Sequence, residues 1–206
     1  MVRRRGLMIQ HGSSPSPEWD VEWDYTQGLP SENGWTKSVT GTASETLNDD
    51  SVSLYANKSS ASISLSKSSN AIGVFEVKFK LTQNNCNFQM TLATDTNTNT
   101  WLRIRAQYSS NYKGIYLANG SDGSIGNMTK LLNLTSTNYN KWHTVRLVLN
   151  GSTGDVYIDD NKVTNGVTTA EQGWAMSGVF VWASSAGSSS GATTKIESMK
   201  LKLGRI

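Results

Sequence analysis

The chain has 206 residues, enough for one sizeable hydrophobic core, and all-β sandwiches of this length are usually single domains. Its net charge of +3, from 19 basic and 16 acidic residues, disfavours nucleic-acid binding by the folded domain. No apolar run approaches the ~20 residues of a membrane helix, and the single cysteine, Cys86, excludes an intrachain disulfide and a cysteine-rich metal site.

Residues 1–17 are predicted to form a tail. The basic run Arg3, Arg4 and Arg5 is followed by an apolar stretch, 6–9, that is shorter than the ~7–15 residues of a secretion signal. Residues 12–17 are then rich in Gly, Ser and Pro, a composition that cannot bury enough apolar surface to order itself. The sequence therefore predicts a domain over 18–206, with the tail as a possible anchor to a virion or to further copies of the chain.

Period-two alternation is the main structural signal after the tail. In 73–81, Phe75, Val77 and Phe79 alternate with Glu76 and Lys78, as in a strand with one buried face. The same alternation and the flanking turn residues predict twelve strands: 19–25, 35–41, 51–56, 61–65, 73–81, 87–94, 101–108, 114–118, 142–150, 155–159, 178–183 and 195–203. Because each strand buries one row of side chains, two sheets must pack face to face.

The segment 142–160 carries the most specific pattern. Trp-His-x-Val-x-Leu, starting at Trp142, leads through a Gly-containing turn to Tyr157-x-Asp159. This pattern resembles the late hairpin of laminin-G-like and concanavalin-A-like domains, with Asp160 where the family often has Gly. The strand 73–79 and the closing segment 195–201 resemble the same family. The resemblance implies an all-β, two-sheet antiparallel jelly-roll sandwich in a family that mostly binds carbohydrate and sometimes cleaves it. Separately, the Trp142 side chain is predicted to lie in the core.

The opening residues carry a shorter likeness. Met-x-Arg-Arg-Arg-Gly-Leu, followed by Glu-Trp-Asp-Tyr at 22–25, resembles small proteins encoded by phages and prophages. This likeness implies a virion surface protein that stays in the bacterial cytoplasm until lysis, in keeping with the absence of a signal peptide from the sequence.

A non-catalytic carbohydrate-binding or adhesion domain is the leading functional expectation. Sugar rings stack on aromatic side chains, and their hydroxyls seek planar polar groups. The side chains expected to face away from the core and to contact a bacterial surface glycan are Gln89, Trp101, Arg103, Arg105, Tyr116 and Trp182.

Two alternatives remain open. The first is a β-glucanase-like hydrolase, because Glu18, Asp20 and Glu22 form the Glu-x-Asp-x-Glu pattern that bacterial β-glucanases of this fold carry on a central strand. In this chain the pattern lies at the start of the domain, where the competing interpretation is simply the first strand, with these acids in its solvent-facing row. The second is a purely structural decoration or oligomerisation domain.

No cofactor is expected, although a structural Ca²⁺ remains possible. Oxygen-rich turns at 48–50, 121–123 and 159–161 contain Asp residues, but none has the spacing of an EF-hand loop. His143 belongs to the strand pattern and is expected to be structural, so no metal ligand is assigned.

Overall fold

The computed structural model describes residues 18–69, 71–93, 101–119, 125–150, 153–168, 178–187 and 190–204. The predicted tail, 1–17, and the turn at 121–123 lie outside this part of the chain. Within it the chain forms fifteen strands and three short 3-10 turns, Tyr25–Gln27, Pro30–Glu32 and Ile125–Asn127. None of its helices is long and apolar enough to span a membrane.

The strands, numbered in chain order, are β1 Val21–Asp24, β2 Thr36–Thr40, β3 Ala43–Asn48, β4 Ser51–Ala56, β5 Ser62–Ser68, β6 Ile72–Leu81, β7 Cys86–Ala93, β8 Trp101–Tyr108, β9 Lys113–Asn119, β10 Thr129–Asn133, β11 His143–Asn150, β12 Thr153–Ile158, β13 Asn161–Thr168, β14 Gly178–Ser185 and β15 Ala192–Leu203.

Two antiparallel sheets form the molecule. Sheet A has the order β13-β12-β11-β6-β15-β4-β3, and β1 pairs with the later part of β15. Sheet B has the order β10-β9-β8-β7-β14-β5-β2. The non-sequential neighbours, such as β6 beside β15 and β7 beside β14, bring distant parts of the chain together. The predicted two-sheet sandwich is therefore confirmed.

The core lies between the sheets. Phe75, Val77 and Phe79 of β6 are fully buried, as their alternation predicts. The ring of Phe79 in sheet A stacks on that of Phe88 in sheet B, with ring centroids 4.5 Å apart. This contact requires the two sheets to pack face to face. It connects the inward-facing side chains of sheet A with those of sheet B.

Each of the twelve predicted strands overlaps an observed one, and three observed strands were not predicted. The β3 strand has a mainly polar sequence, and all its residues are half-buried or exposed, so it shows little hydrophobic alternation. The β10 strand is short and lies at the edge of sheet B. The β13 strand contains Asn165-Gly166, which the sequence pattern indicates as a turn.

The turn between β12 and β13 contains two consecutive left-handed residues, Asp159 (φ 50°) and Asp160 (φ 62°). Both φ values are those of a type I′ hairpin turn, which favours Asn-Gly. The Asp159 carboxylate accepts hydrogen bonds from the backbone N–H of Thr144, at 2.9 Å, and from His143 Nδ1, also at 2.9 Å. The Asp160 side chain is mostly exposed and contacts Arg146 at 3.5 Å.

Replacing Asp160 with Gly is expected to stabilise the protein by roughly 0.5 kcal/mol, because Gly adopts the left-handed region without the Cβ clash. Thermal unfolding should show a Tm higher by about 1–2 °C. Asp159→Gly is the matched control: it relieves the same backbone cost but removes the bonds to His143 and Thr144, and should lower the Tm. A Tm that falls equally in both variants would contradict this account.

Candidate functional site

The outer face of sheet B brings together most of the residues predicted to bind a ligand. Trp182 lies directly opposite Gln89, Gln89 opposite Arg105, and Arg105 opposite Tyr116. Arg103 lies two residues from Arg105 on the same face of β8. The strand order therefore aligns residues from four strands in one row, which the sequence alone does not show.

The exposure of these residues corrects part of the prediction. Tyr116 is only 4% exposed and lies beneath the Lys130 ammonium, 5.4 Å from its ring centroid, so it does not offer a free stacking face. Trp182, Gln89, Arg103 and Arg105 are half-buried. The side chain of Trp101 lies outside the described residues.

A hydrogen-bonded polar layer supports this face. Arg105 Nε donates to Asn87 Oδ1 at 2.9 Å, and Asn87 Nδ2 donates to Ser184 Oγ at 3.1 Å. Gln107 is buried, and its Nε2 donates to Ser109 Oγ. Burial lowers the pKa of Arg103 to about 10, with a smaller contribution from the neighbouring Arg105.

Carboxylates are missing from the strands of this sheet. None of β2, β5, β7, β8, β9, β10 and β14 contains Asp or Glu. Glycoside hydrolysis normally requires two carboxyl groups. The described strands of sheet B therefore do not supply a carboxylate pair, whereas the described strands of sheet A contain several Asp and Glu residues.

The predicted catalytic residues Glu18, Asp20 and Glu22 lie at or just before β1, on the side of sheet A. Asp20 and Glu22 have different partners. Asp20 accepts a 2.7 Å hydrogen bond from the backbone N–H of Leu203 and pairs with Lys202 at 3.3 Å. The backbone hydrogen bond from Leu203 is the largest cause of the lowered pKa of Asp20; burial opposes it, and Lys202 adds to it. Asp20 therefore helps to hold the start of the domain, just before β1, against β15.

Glu22 instead belongs to a row of alternating charge on the outer face of sheet A. It lies opposite Lys200, Lys200 opposite Glu76, and Glu76 opposite Arg146. Lys200 Nζ contacts Glu22 Oε1 at 2.5 Å, and Arg146 lies 3.6 Å from Glu76. Two glutamates from distant parts of the chain thus face one another across the single strand β15.

A groove of about 370 Å³ lies along this row, and we call it the carboxylate groove. Its volume falls in the usual range of small-ligand sites, about 300–1,000 Å³. The residues that line it are Glu22, Asp24, Tyr25, Thr26, Glu76, Lys78, Glu197, Ser198 and Lys200.

An irregularity in β15 shapes the carboxylate groove. The pairing between β15 and β6 shifts between Ile196 and Ser198, which leaves Glu197 as the extra residue. Glu197 pairs with Lys78 at 2.6 Å. Such bulges re-aim side chains and are over-represented near functional sites.

Glu76 is the most unusual acid of the groove. Its side chain is only 13% exposed, and burial raises the pKa of Glu76 above its usual value of 4.5. Arg146 and Lys200 oppose this shift, but burial is the larger cause. Asp24 has a structural role by contrast, since its carboxylate accepts the Thr26 backbone N–H at 2.9 Å. A carboxyl whose pKa is raised by burial is a candidate general acid.

Other residues singled out in the sequence have structural positions. His143 is buried between Asp159 and the backbone carbonyl of Asn138. Trp142 is half-buried beneath the Lys80 ammonium, 4.7 Å from its ring centroid, so its assignment to the core is wrong. The Trp142 side chain lies on the outer side of sheet A. Side chains alternate between the two faces of a strand, and those of His143 and Val145 point into the core.

The oxygen-rich turns are engaged with protein groups. At 48–50, Asp50 accepts from Ser51 Oγ at 2.7 Å and from Lys195 at 3.0 Å, which lowers the pKa of Asp50. At 159–161, Asp159 binds His143. In the described part of the chain, no three His, Cys, Asp or Glu side chains are grouped so that they could hold a metal ion.

Solved structures similar to this chain are sandwiches from carbohydrate-related proteins. The laminarinase catalytic domain from Thermotoga maritima has a TM-score of 0.67 and 10% identity, covering 92% of this chain and 99% of that one. Apo Crh5 transglycosylase has a TM-score of 0.68 and 11% identity, covering 90% and 84%. The carbohydrate recognition domain of Emp47p has a TM-score of 0.58 and 16% identity, covering 84% and 89%. No family model and no curated protein matches the chain.

The fold is a concanavalin-A-like jelly roll. Identities this low establish the fold alone, but the comparisons contradict the leading functional expectation. Most of the similar structures are enzymes of glycosidic bonds, including a transglycosylase, a laminarinase and a β-glucanase. The expectation of a non-catalytic binding domain is therefore wrong, and the glucanase-like alternative is the better supported. The comparisons lend no support to a phage, virion or laminin-G assignment.

Sequence reasoning missed Glu76 and Glu197 as members of a site. The alternation in 73–81 already places Glu76 on the outer face. It does not reveal that Glu22, more than fifty residues earlier, lies one strand away. That neighbourhood depends on β15 entering between β1 and β6.

Proposed function

We propose that the protein is a glycoside hydrolase of the β-glucanase kind and that the carboxylate groove is its catalytic site. One observation carries this proposal: Glu76, whose pKa is raised by burial, faces Glu22 across one strand in a groove of sugar size. Two carboxyl groups in different environments are what glycosidic cleavage needs. The similarity of the fold to glucanases and a transglycosylase supports the same reaction class.

Glu76 is the general acid in this proposal. The protonated carboxyl gives its proton to the glycosidic oxygen as the bond to the sugar C1 breaks, and the leaving sugar departs as an alcohol. Glu22 is the general base, 46% exposed on its side chain and open to water, and its carboxylate takes a proton from the attacking water molecule. Lys200 lies between the two, and its ion pair with Glu22 orients the base.

The spacing of the two residues is compatible with these roles. Neighbouring strands are about 4.8 Å apart, so Cα atoms two strands apart are separated by roughly 10 Å. Carboxyl pairs that admit a water molecule beside the sugar are about 6.5–9.5 Å apart. Tyr25, half-buried at the wall of the groove, provides an aromatic surface for the sugar ring.

Hydrolysis of soluble β-1,3- and β-1,4-glucans tests the proposal. We expect release of reducing ends by the wild-type protein and a loss of about 10²-fold or more in kcat for Glu22→Gln, because the amide cannot accept the proton of water. Glu18→Gln is the matched control: it removes an exposed carboxylate from the same end of the chain, outside the groove, and should leave the rate unchanged. No hydrolysis of any glucan by the wild-type protein, or an equal loss in Glu18→Gln, would refute the assignment.

The placement of this activity on a phage virion is a separate proposal. Only the opening residues support it, through their likeness to phage-encoded proteins. Flanking tail or lysis genes are the expected finding, and chromosomal neighbours of ordinary metabolism would contradict it.

A further inference from the structure

Arg146 is shared between two carboxylates beside the carboxylate groove. It lies directly opposite Glu76 in the pairing of β11 with β6, and its side chain is 19% exposed. Its Nη1 lies 3.6 Å from Glu76 Oε2, and its Nη2 lies 3.5 Å from Asp160 Oδ1. One guanidinium therefore contacts the proposed general acid on one side and the turn between β12 and β13 on the other.

The ion pair of Arg146 with Glu76 is a long one. On the same face, Lys200 approaches Glu22 to 2.5 Å, within hydrogen-bond range. A nitrogen 3.6 Å from a carboxylate oxygen makes no hydrogen bond, so Arg146 acts on Glu76 through its charge alone. This weak contact agrees with the balance at Glu76, where burial outweighs the opposing cations and raises the pKa.

Two contacts hold the guanidinium in its position. The central carbon of the group lies 4.9 Å from the ring centroid of Tyr157, so the cation packs on the aromatic face. Tyr157 itself lies opposite Arg146 in the pairing of β12 with β11. The second contact is Asp160, whose backbone is fixed by the turn at φ 62°. The ring and the carboxylate therefore draw the guanidinium toward β12 and away from Glu76.

Asp160 also acts on Glu76 directly through its negative charge. The two carboxylates contact the two nitrogen ends of one guanidinium, so their charges interact within the ~10 Å screening length of 0.1 M salt. The charge of Asp160 contributes to the raised pKa of Glu76. Asp160 thus favours the protonated form of Glu76 in two ways, by its charge and by its attraction for Arg146.

The other charged groups around Glu76 belong to the groove. Lys200 lies opposite Glu76 on β15 and lowers its pKa, and Glu22 on β1 raises it. On β6 itself, Lys78 is two residues away on the same face and pairs with Glu197 at 2.6 Å. All four of these neighbours line the groove, so a bound sugar would contact them.

We propose that Arg146 and Asp160 are positioning residues that keep Glu76 a proton donor, with Asp160 holding the Arg146 guanidinium outside hydrogen-bond range of Glu76. The inference rests on the proposed hydrolysis, in which Glu76 is the general acid, and adds the means by which that acid is maintained. Neither positioning residue lines the groove, so both act through Glu76 and not on the sugar. An Asp in a left-handed position that Gly would occupy at lower cost is consistent with such a role.

The pH profile of glucan hydrolysis tests both residues. Asp160→Gly frees Arg146 to approach Glu76, so the alkaline limb should move to lower pH. On that limb the rate, relative to the variant's own maximum, should be about twofold lower than in the wild type. Arg146→Gln removes the cation, so the limb should move to higher pH, with a relative rate about twofold higher. A merely structural role would lower the rate at every pH and would not give opposite signs.

Asp50→Asn is the matched control. It removes the carboxylate of another ion pair of sheet A, with Lys195 at 3.0 Å. Lys195 lies opposite Lys80, which is four residues or about 13 Å along β6 from Glu76. The alkaline limb of this variant should therefore stay at the pH of the wild type.

A direct titration separates this inference from the proposed hydrolysis. The side-chain carboxyl carbon of Glu76, labelled with ¹³C and assigned by its loss in Glu76→Gln, reports protonation without any substrate. Its titration should move to lower pH in Asp160→Gly and to higher pH in Arg146→Gln. Movement in the same direction in both variants, no movement in Asp160→Gly, or equal movement in Asp50→Asn would overturn the inference. The expected movements in a wild type that hydrolyses no glucan would refute the proposed function alone.

Discussion

Replacing Glu76 with Gln is expected to lower kcat on β-glucan by about 10²–10⁴-fold, the usual contribution of a general acid. Gln has the size of protonated Glu and keeps the hydrogen-bonding shape, but it has no acidic proton to give to the leaving oxygen. The measurement is the initial rate of reducing-end release from the best glucan substrate. Retained activity in Glu76→Gln would exclude this residue as the acid.

The pH dependence follows from the direction of the Glu76 shift. A carboxyl whose pKa is raised by folding favours the folded state in its protonated form. This stabilisation is fully present below the unfolded value near 4.5 and is lost as pH rises through the folded pKa. The alkaline limb of the rate profile should fall over the same range above 4.5, because the proton donor is then lost.

Urea unfolding at pH 4 and pH 7 measures this effect. Gln does not titrate, so the free energy of unfolding of Glu76→Gln should increase relative to that of the wild type between pH 4 and pH 7, which means that the variant becomes relatively more stable. Glu45→Gln is the matched control, since Glu45 is a fully buried carboxylate of sheet A that pairs with Lys37 at 3.2 Å, away from the groove. The Glu45→Gln variant should hydrolyse glucan at the rate of the wild type. A shift in the opposite direction for Glu76→Gln would mean that the ion pair with Arg146 outweighs burial.

Replacing Phe79 with Ala is expected to destabilise the protein by about 3–5 kcal/mol. Phe79 is 1% exposed, and its ring stacks on Phe88 of the opposite sheet. The substitution leaves a cavity where the two sheets meet, so it costs both the lost burial of the ring and the contacts around it. Thermal unfolding should show a Tm lower by about 6–20 °C.

Leu47→Ala is the control for this prediction. Leu47 on β3 is 46% exposed, so the substitution should change the free energy of unfolding by less than about 0.5 kcal/mol. If both variants lost similar stability, the inner rows of the sheets would not form the core described above.

Much of the fold was accessible from the sequence because burial on one face leaves a period of two. Phe75, Val77 and Phe79 gave the face of β6, and Leu102, Ile104 and Ala106 gave that of β8. Where one face was not apolar the signal failed, as in β3 and in β13 with its Asn-Gly pair. Trp142 shows the opposite error, since an aromatic beside an inward-facing row was assigned to the core although lysines cover it from outside.

The candidate sites were only partly accessible. The sequence identified Arg103, Arg105, Gln89 and Trp182 as outward residues, and the structure places them in neighbouring strands. It also indicated Tyr116, which the structure buries beneath Lys130. The exposure of a residue depends on which side chains of the adjacent edge strand cover it, and β10 carried too weak a signal to be predicted.

The sequence by itself determined twelve of the fifteen described strands and the inner faces of strands such as β6 and β8, because these follow from alternation within a few consecutive residues. Only the tertiary structure decided which carboxylates meet. Glu22 and Glu76 become neighbours because β15, the last strand, pairs with β1 on one side and β6 on the other. Pairing between strands depends on the closure of long loops and on register, and neither is encoded in the local pattern of either strand.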